Sequence, residues 1–263
     1  MAHTISVLSF KGGTGKTTTV RTLADVFRRV GLDVLCIDLD PQGNLSDYFD
    51  VPADASPTVA DVLGSHARLR DAAHGGMIVP ASPILAETER SLSGRMGREQ
   101  VLRKALKDAR RQHDVILIDS PPALGLLTIN GLVAADSAIV SSEAQYFALQ
   151  GVQGALELVE QVREYYNPDL EWLGVVLNIA DLRTLHSRQA LESLQETFGD
   201  KVFGTVIRSS IAYAESAELG VSILDHRADL GADYVALADE ILERIGEDEA
   251  RGRLTPMLAT AAG

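Results

Sequence analysis

Apolar residues along this chain fall into two alternating patterns. Short continuous runs rich in Val, Ile and Leu occupy residues 3–10, 34–40, 77–80, 114–122, 138–142, 172–179 and 201–207. Runs of this kind, without period-two alternation, predict strands buried on both faces of a parallel sheet. Between them the apolar positions recur at three- and four-residue spacing, which predicts helices over 17–30, 58–63, 85–92, 97–112, 148–165, 187–198, 211–219 and 232–245. Thr58 is a candidate N-cap, and Gly31 a candidate C-cap for the first helix. Residues 45–57 carry Asp, Ser and two prolines and predict a loop. Strand–helix alternation throughout calls for α/β architecture: a single doubly wound domain, a mostly parallel sheet flanked by helices. No linker divides residues 1–246, and residues 247–263 predict a flexible C-terminal tail.

The helix at 97–112 has an apolar stripe of Val101, Leu102, Ala105, Leu106 and Ala109. Its other face carries Arg103, Lys104, Lys107, Arg110 and Arg111, with Arg95 and Arg98 just ahead and only Glu99 and Asp108 in opposition. Two readings stand: a solvated helix face, or an anion-binding surface. The chain as a whole has 24 basic and 37 acidic residues, a net charge of −13, which taken alone argues against a dedicated nucleic-acid binder. The single cysteine, Cys36, lies in a strand-like run and excludes an internal disulfide framework or a cysteine-ligated cluster within one chain. No signal-peptide pattern is present, and no apolar run approaches the ~20 residues of a membrane span, so a cytoplasmic protein is expected.

The first strand leads into Lys11-Gly12-Gly13-Thr14-Gly15-Lys16-Thr17-Thr18 and then the first helix. A strand, a Gly-rich turn and a helix N-terminus make a phosphate cradle, because backbone N–H groups approach the phosphates and the helix dipole adds positive charge. Lys16 would reach the β- and γ-phosphates, and the Thr17 hydroxyl would reach Mg²⁺. Phe10 stands where the usual P-loop has its first glycine, and Lys11 is a lysine that a single cradle does not require. Two further runs end in acids: 34–40 in Asp38 and Asp40, and 114–122 in Asp119. At a strand end Asp119 can hold Mg²⁺ through water, beside Thr17. Asn178, near the end of 172–179, is placed either to read an adenine edge or to satisfy the backbone of a turn.

The string KGGTGKTT resembles the deviant Walker A motif of the ParA/MinD family of P-loop ATPases, and most closely the ParA (Soj-like) partition ATPases. DLDPQGN at 38–44 resembles the family's second signature, and SPPALGLLTIN at 120–130 the segment after its third. The likeness runs from residue 5 to about residue 244. It implies an ATP- and Mg²⁺-dependent ATPase that forms a homodimer on ATP. Lys11 would cross to the partner's nucleotide, Asp40 would position or activate the attacking water, and Asp38 would support the Mg²⁺ shell. It also implies non-specific DNA as a scaffold, a nucleoid location, and a ParB-like or adaptor protein that stimulates hydrolysis. The cargo would be a plasmid, a chromosome origin or a protein cluster. The P-loop begins at residue 11, so no DNA-reading domain is expected ahead of it.

One departure bears on function. Where the family has Pro-Arg-Asn-Val-Arg-Leu-Ser-Glu, this chain has residues 208–215, RSSIAYAE. Arg208 replaces the proline that flanks adenine, and Ala212 replaces an arginine often used on DNA. Arg183 keeps the other DNA contact, and Arg188 lies a helical turn beyond. The expected DNA surface is therefore Arg183, Arg188 and Arg208, with the 103–111 face in reserve. The alternative is a MinD-like ATPase acting at the membrane. That role needs a basic, strongly apolar C-terminal helix. The tail, with Pro256 and no aromatic residue, does not offer one, so no membrane partner is expected.

Overall fold

The structure, a computed structural model, describes residues 1–145 and 148–261, with side chains as far as Met257. Seven strands form one sheet: β1 (His3–Leu8), β2 (Val34–Asp38), β3 (Ile78–Val79), β4 (Val115–Asp119), β5 (Ser137–Glu143), β6 (Glu171–Ala180) and β7 (Val202–Arg208). Their order is β3-β2-β4-β1-β5-β6-β7, and every pairing between named strands is parallel. The helices of the first half are α1 (Lys16–Arg29), α2 (Asn44–Tyr48), α3 (Val59–Gly64), α4 (Leu69–Ala72), α5 (Leu85–Leu92), α6 (Val101–Ala105) and α7 (Leu126–Ala134). Those of the second are α8 (Ala148–Tyr165), α9 (Leu185–Phe198), α10 (Ala212–Glu218), α11 (Ile223–His226), α12 (Ala228–Arg244) and α13 (Asp248–Ala261).

The β1 and β4 runs are buried at nearly every position, as strands covered on both faces must be. After β1 the chain builds outward to β2 and β3, and after β4 it crosses to β5, β6 and β7. β1 is thus central, and the crevice beyond its carboxyl end is the switch point where α/β sheets place ligands.

Three expectations change. The loop at 45–57 begins as α2, because Asp38 reaches across to its first turn: the Ser46 amide and hydroxyl donate to Asp38 Oδ2 at 3.0 and 2.7 Å. The helix at 97–112 is broken into a 3₁₀ turn at Arg98–Gln100, α6, and a second 3₁₀ turn at Ala109–Arg111. In an unbroken helix the Leu102 amide would bond the Arg98 carbonyl. Instead the buried Asn130 side chain inserts between them, accepting from the Leu102 amide at 3.2 Å and donating to the Arg98 carbonyl at 2.9 Å. The apolar stripe still faces inward, with Leu102, Leu106 and Ala109 buried.

The third change concerns residues 247–263, expected as a loose tail. Most of them form α13, packed on α12, with Ala250 and Leu254 buried in the same cluster as Phe27, Val30 and Leu242. Arg251 ties it to Asp239 and Glu243, and Arg253 donates to the Val30 carbonyl. Leu254 is fully buried, so Leu254→Ala should cost about 2–5 kcal/mol through lost burial and the cavity left behind. Urea unfolding measures this directly, and a midpoint equal to wild type would mean that α13 does not dock in solution.

Candidate functional site

β1 ends at Leu8, and the turn from Ser9 to Gly15 carries the chain into α1. Gly13 and Gly15 have φ of +78° and +79°, a left-handed backbone that favours glycine. At Gly15 a side chain would also meet Asn178, whose Cγ lies 3.3 Å from where a Cβ would stand. The turn, Asp40, Asn178, Arg208, Tyr213 and Tyr234 surround a cleft of about 460 Å³ at the carboxyl edge of the sheet. Gly12 to Thr18 all line it. Lys16 is buried, 6% exposed, and burial lowers its pKa, while Asp119 and Asp40 pull the other way.

The acids converge below the loop. Asp38 and Asp119 stand opposite one another in the β2–β4 register. Thr17 Oγ1 donates to Asp119 Oδ2 at 2.7 Å, and Asp119 Oδ1 is buried with no hydrogen-bond partner. Burial and the Asp38 charge push Asp119 up to about 8, against Thr17 and Lys16. Burial raises Asp38 to about 6 against its bonds from Ser46 and Asp40. A hard cation suits this place. Asp119 offers an unsatisfied buried oxygen beside the Thr17 hydroxyl, and bound Mg²⁺ would favour the ionised carboxylate. Asp38 Oδ1 holds the Asp40 amide at 3.0 Å and Oδ2 holds Ser46. It shapes the segment that carries Asp40. Among the described residues no cluster of three or more His, Cys, Asp or Glu forms a metal cage.

These ionisations set a pH dependence. An unfolded Asp loses its proton near about 3.9, whereas Asp119 keeps it to about 8 in the fold. Across that window the folded state binds the extra proton, so stability falls as pH rises and levels off above it. Urea midpoints of protein free of nucleotide and Mg²⁺ should be lower at about pH 9 than at about pH 5. Asp119→Asn should shrink the difference to the part that Asp38, raised to about 6, contributes near the acid end of the window, and a slope equal to wild type in this variant would put its origin elsewhere.

Asn178 occupies the position expected, but its amide is turned to the loop. Nδ2 donates to Ser141 Oγ at 2.7 Å and to Thr19 Oγ1 at 3.3 Å. Both hydroxyls spend their own protons on the loop, Ser141 on the Thr14 carbonyl at 2.7 Å and Thr19 on the Gly15 carbonyl at 2.9 Å. They can only accept from Asn178, which fixes the amide orientation and leaves Oδ1 buried and unpartnered. Asn178 thus braces the backbone beneath Thr14 and Gly15, with a spare acceptor at the cleft. The next residue, Ile179, has φ of +55°, a strained backbone for a β-branched side chain.

The remaining candidates are engaged with partners outside the phosphate cradle. Lys11 is exposed and turned away from its own phosphate loop, with Nζ 2.9 Å from Gln145 Oε1 and 3.7 Å from Glu143. Arg208 lines the cleft, but its guanidinium is held by Asp233 at 2.8 Å and by the Asp229 carbonyl. Arg183 lies on the Asp181 carboxylate through two bonds of 2.8 Å, which lower Asp181 to about 2. Arg188 donates to the carbonyls of Leu182 and Arg183. The sequence reading missed Ser46, Ser141, Tyr213 and Tyr234. Ser141 had a signal, a polar residue closing an apolar strand at the sheet's carboxyl edge, whereas the tyrosines had none.

Residues 2–172 match the family model described as AAA domain. The chromosome-partitioning ATPase Soj of Thermus thermophilus is 39% identical over 248 residues, covering 92% of this chain and 96% of that protein. The chromosome partitioning protein ParA of Caulobacter vibrioides is 35% identical over 257 residues, 94% and 96% of the two chains. Among solved structures, cobyrinic acid a,c-diamide synthase of Mycobacterium smegmatis, with bound ATP analog and magnesium, superposes with a TM-score of 0.76. It is 36% identical over 83% of this chain and 93% of that one. Apo McdA of Cyanothece gives 0.84 at 25% identity, over 94% and 100%. Sequence likeness to Soj and ParA over nearly the whole chain, on a fold shared with McdA, agrees with the loop and acids at the sheet's switch point: the chain belongs to the ParA/MinD family of AAA-domain ATPases and is Soj-like within it.

Proposed function

We propose that this chain is a Mg²⁺-dependent partition ATPase that dimerises on ATP and binds DNA without sequence preference. It would position a plasmid, chromosome origin or protein cluster as a ParB-like partner stimulates hydrolysis. The observation that carries the reading is the division of labour between two lysines. Lys16 is buried over Asp119 and Asp40, inside its own cradle, whereas Lys11 is solvent-exposed and aimed out of it. A cation presented outward beside a phosphate site suits a second nucleotide facing the first.

In this reading the P-loop amides, Lys16 and the α1 N-terminus hold the phosphates. Thr17 and Asp119 hold Mg²⁺, which would neutralise charge developing on the phosphates. Asp40 orients water, with its carboxylate fixed by the Gln42 amide at 3.0 Å. The Asn178 brace keeps the Thr14 and Gly15 amides aimed. A membrane role has less support: among the described residues no helix is long and apolar enough to cross a membrane, and α13 already buries Ala250 and Leu254.

Lys11→Ala tests the reading. ATP binding should stay within about threefold of wild type, while ATP-dependent dimerisation weakens by about tenfold or more, the loss of a charge-assisted contact. Light scattering with ATP and Mg²⁺ reads the dimer. An unimpaired dimer in Lys11→Ala would end the trans assignment.

A further inference from the structure

The DNA reading places phosphate on Arg183, Arg188 and Arg208, yet the structure gives each of these a carboxylate or carbonyl of its own. A second surface is better supplied. Residues 95–111 carry seven cations and two acids, a local charge of +5 in a chain of −13. Much of the remaining acid excess therefore lies elsewhere, and a polyanion approaching the molecule meets attraction mainly here.

The break in the helix shapes this surface. With the ladder opened by Asn130, α6 packs on α3, and a groove of about 460 Å³ runs between α4 and the 104–113 segment. Its floor is apolar and small, including Leu69, Ala73, Ala105 and Ala109, and Arg68, Arg70 and Lys104 stand around it with Asp108. A second hollow of about 340 Å³ shares Ala67, Lys104 and Ala105 with the first and adds Arg95. Arg68, Lys104, Lys107 and Arg111 are exposed and make no ion pair among the described residues. The groove lies toward the amino ends of the strands, since its wall includes His113 just ahead of β4. The nucleotide cleft is at the opposite edge, so a dimer closed over the nucleotides leaves both grooves open.

We propose that this groove, walled by Arg68 and Arg70 on one side and Lys104 on the other, with Lys107 and Arg111 exposed on the same segment outside it, is where the protein holds the DNA phosphate backbone. The inference rests on the DNA reading above and relocates its contact. From Val101 to Arg111 the wall is roughly 15 Å long at helical rise. Duplex DNA rises ~3.4 Å of helix axis per phosphate of one strand, so the wall matches about four base-pair steps. A bilayer fits less well, because the groove floor is recessed and the exposed Met96 beside the second hollow is a single side chain and not an apolar helix face.

The test uses the full chain with ATP and Mg²⁺, in the Asp40→Ala background that should hold the dimer, and a random-sequence duplex. Arg68→Ala/Lys104→Ala should lower the slope of log affinity against log salt by about two per protomer. Lys107→Glu/Arg111→Glu should weaken binding by about tenfold or more, and Arg183→Glu should stay within about threefold of its parent. ATP binding and dimerisation in each variant report that the fold is intact. Loss of binding in Arg183→Glu, with the groove variants unchanged, overturns the proposal while leaving the DNA reading in place. A parent dimer that binds ATP but no duplex at low salt overturns both. Groove-dependent binding to phosphatidylglycerol vesicles without binding to DNA overturns the proposal in favour of a membrane.

Discussion

Lys16→Ala should lower ATP turnover by about 10²–10³-fold, the usual cost of removing one preorganised donor from developing phosphate charge. The side chain is 6% exposed and sits at the mouth of α1, where the phosphates would lie. Its charge is already partly desolvated: burial lowers the pKa, while Asp119 and Asp40 raise it. A phosphate arriving there meets a cation that has lost part of its water, so little reorganisation remains at the moment of reaction. A coupled phosphate-release assay beside nucleotide titration separates binding from turnover. Turnover within about threefold of wild type would remove Lys16 from the site. Arg at this position would keep the charge but replace a compact ammonium with a planar fork.

How far the sequence disclosed this arrangement depends on the range of the forces involved. The strands were legible because burial on both faces demands unbroken apolar runs, and Leu35, Ile116 and Leu117 need no partner but the core. The P-loop was legible because positive φ at Gly13 and Gly15 is a local demand written in local residues. Position along a strand placed Asp119 and Asn178 at the right edge. What stayed hidden were side chains reaching across sequence. Nothing in 97–112 shows that Asn130, some thirty residues on, will open its ladder. Nothing in 45–57 shows that Asp38 will cap a turn with Ser46 and so start α2. Burial of α13 depended on an apolar surface formed by α1 and α12 together. The arginines show the same limit, for Arg183 and Arg208 read as free cations until Asp181 and Asp233 are seen beside them.

Asp40→Ala should bind ATP about as wild type does and hydrolyse it about 10²-fold or more slowly, within the range that one positioned base supplies. Asp40 lines the cleft with Gln42 and Asn44, beyond the end of β2, and is 9% exposed. It is not tied to Thr17 or placed under the loop, as Asp119 is. Three bonds fix it: its amide donates to Asp38, its Oδ1 accepts the Gln42 amide, and its carbonyl accepts the Gly43 amide at 2.9 Å. A carboxylate held this firmly at the edge of the phosphate site is suited to orient a small nucleophile rather than to bind the nucleotide itself. Removing it leaves the cradle, the Thr17–Asp119 pair and Lys11 untouched. The variant should therefore accumulate as an ATP-bound dimer, seen as a doubled mass by light scattering, and should persist long after wild type has returned to monomer. Asp40→Asn separates the two ways the carboxylate can act, since an amide can still orient water but cannot take its proton. If Asn restores most of the turnover, orientation is the larger effect. If Asp40→Ala stays monomeric in ATP, the residue belongs to nucleotide binding or dimer closure, and the attacking water must be held elsewhere.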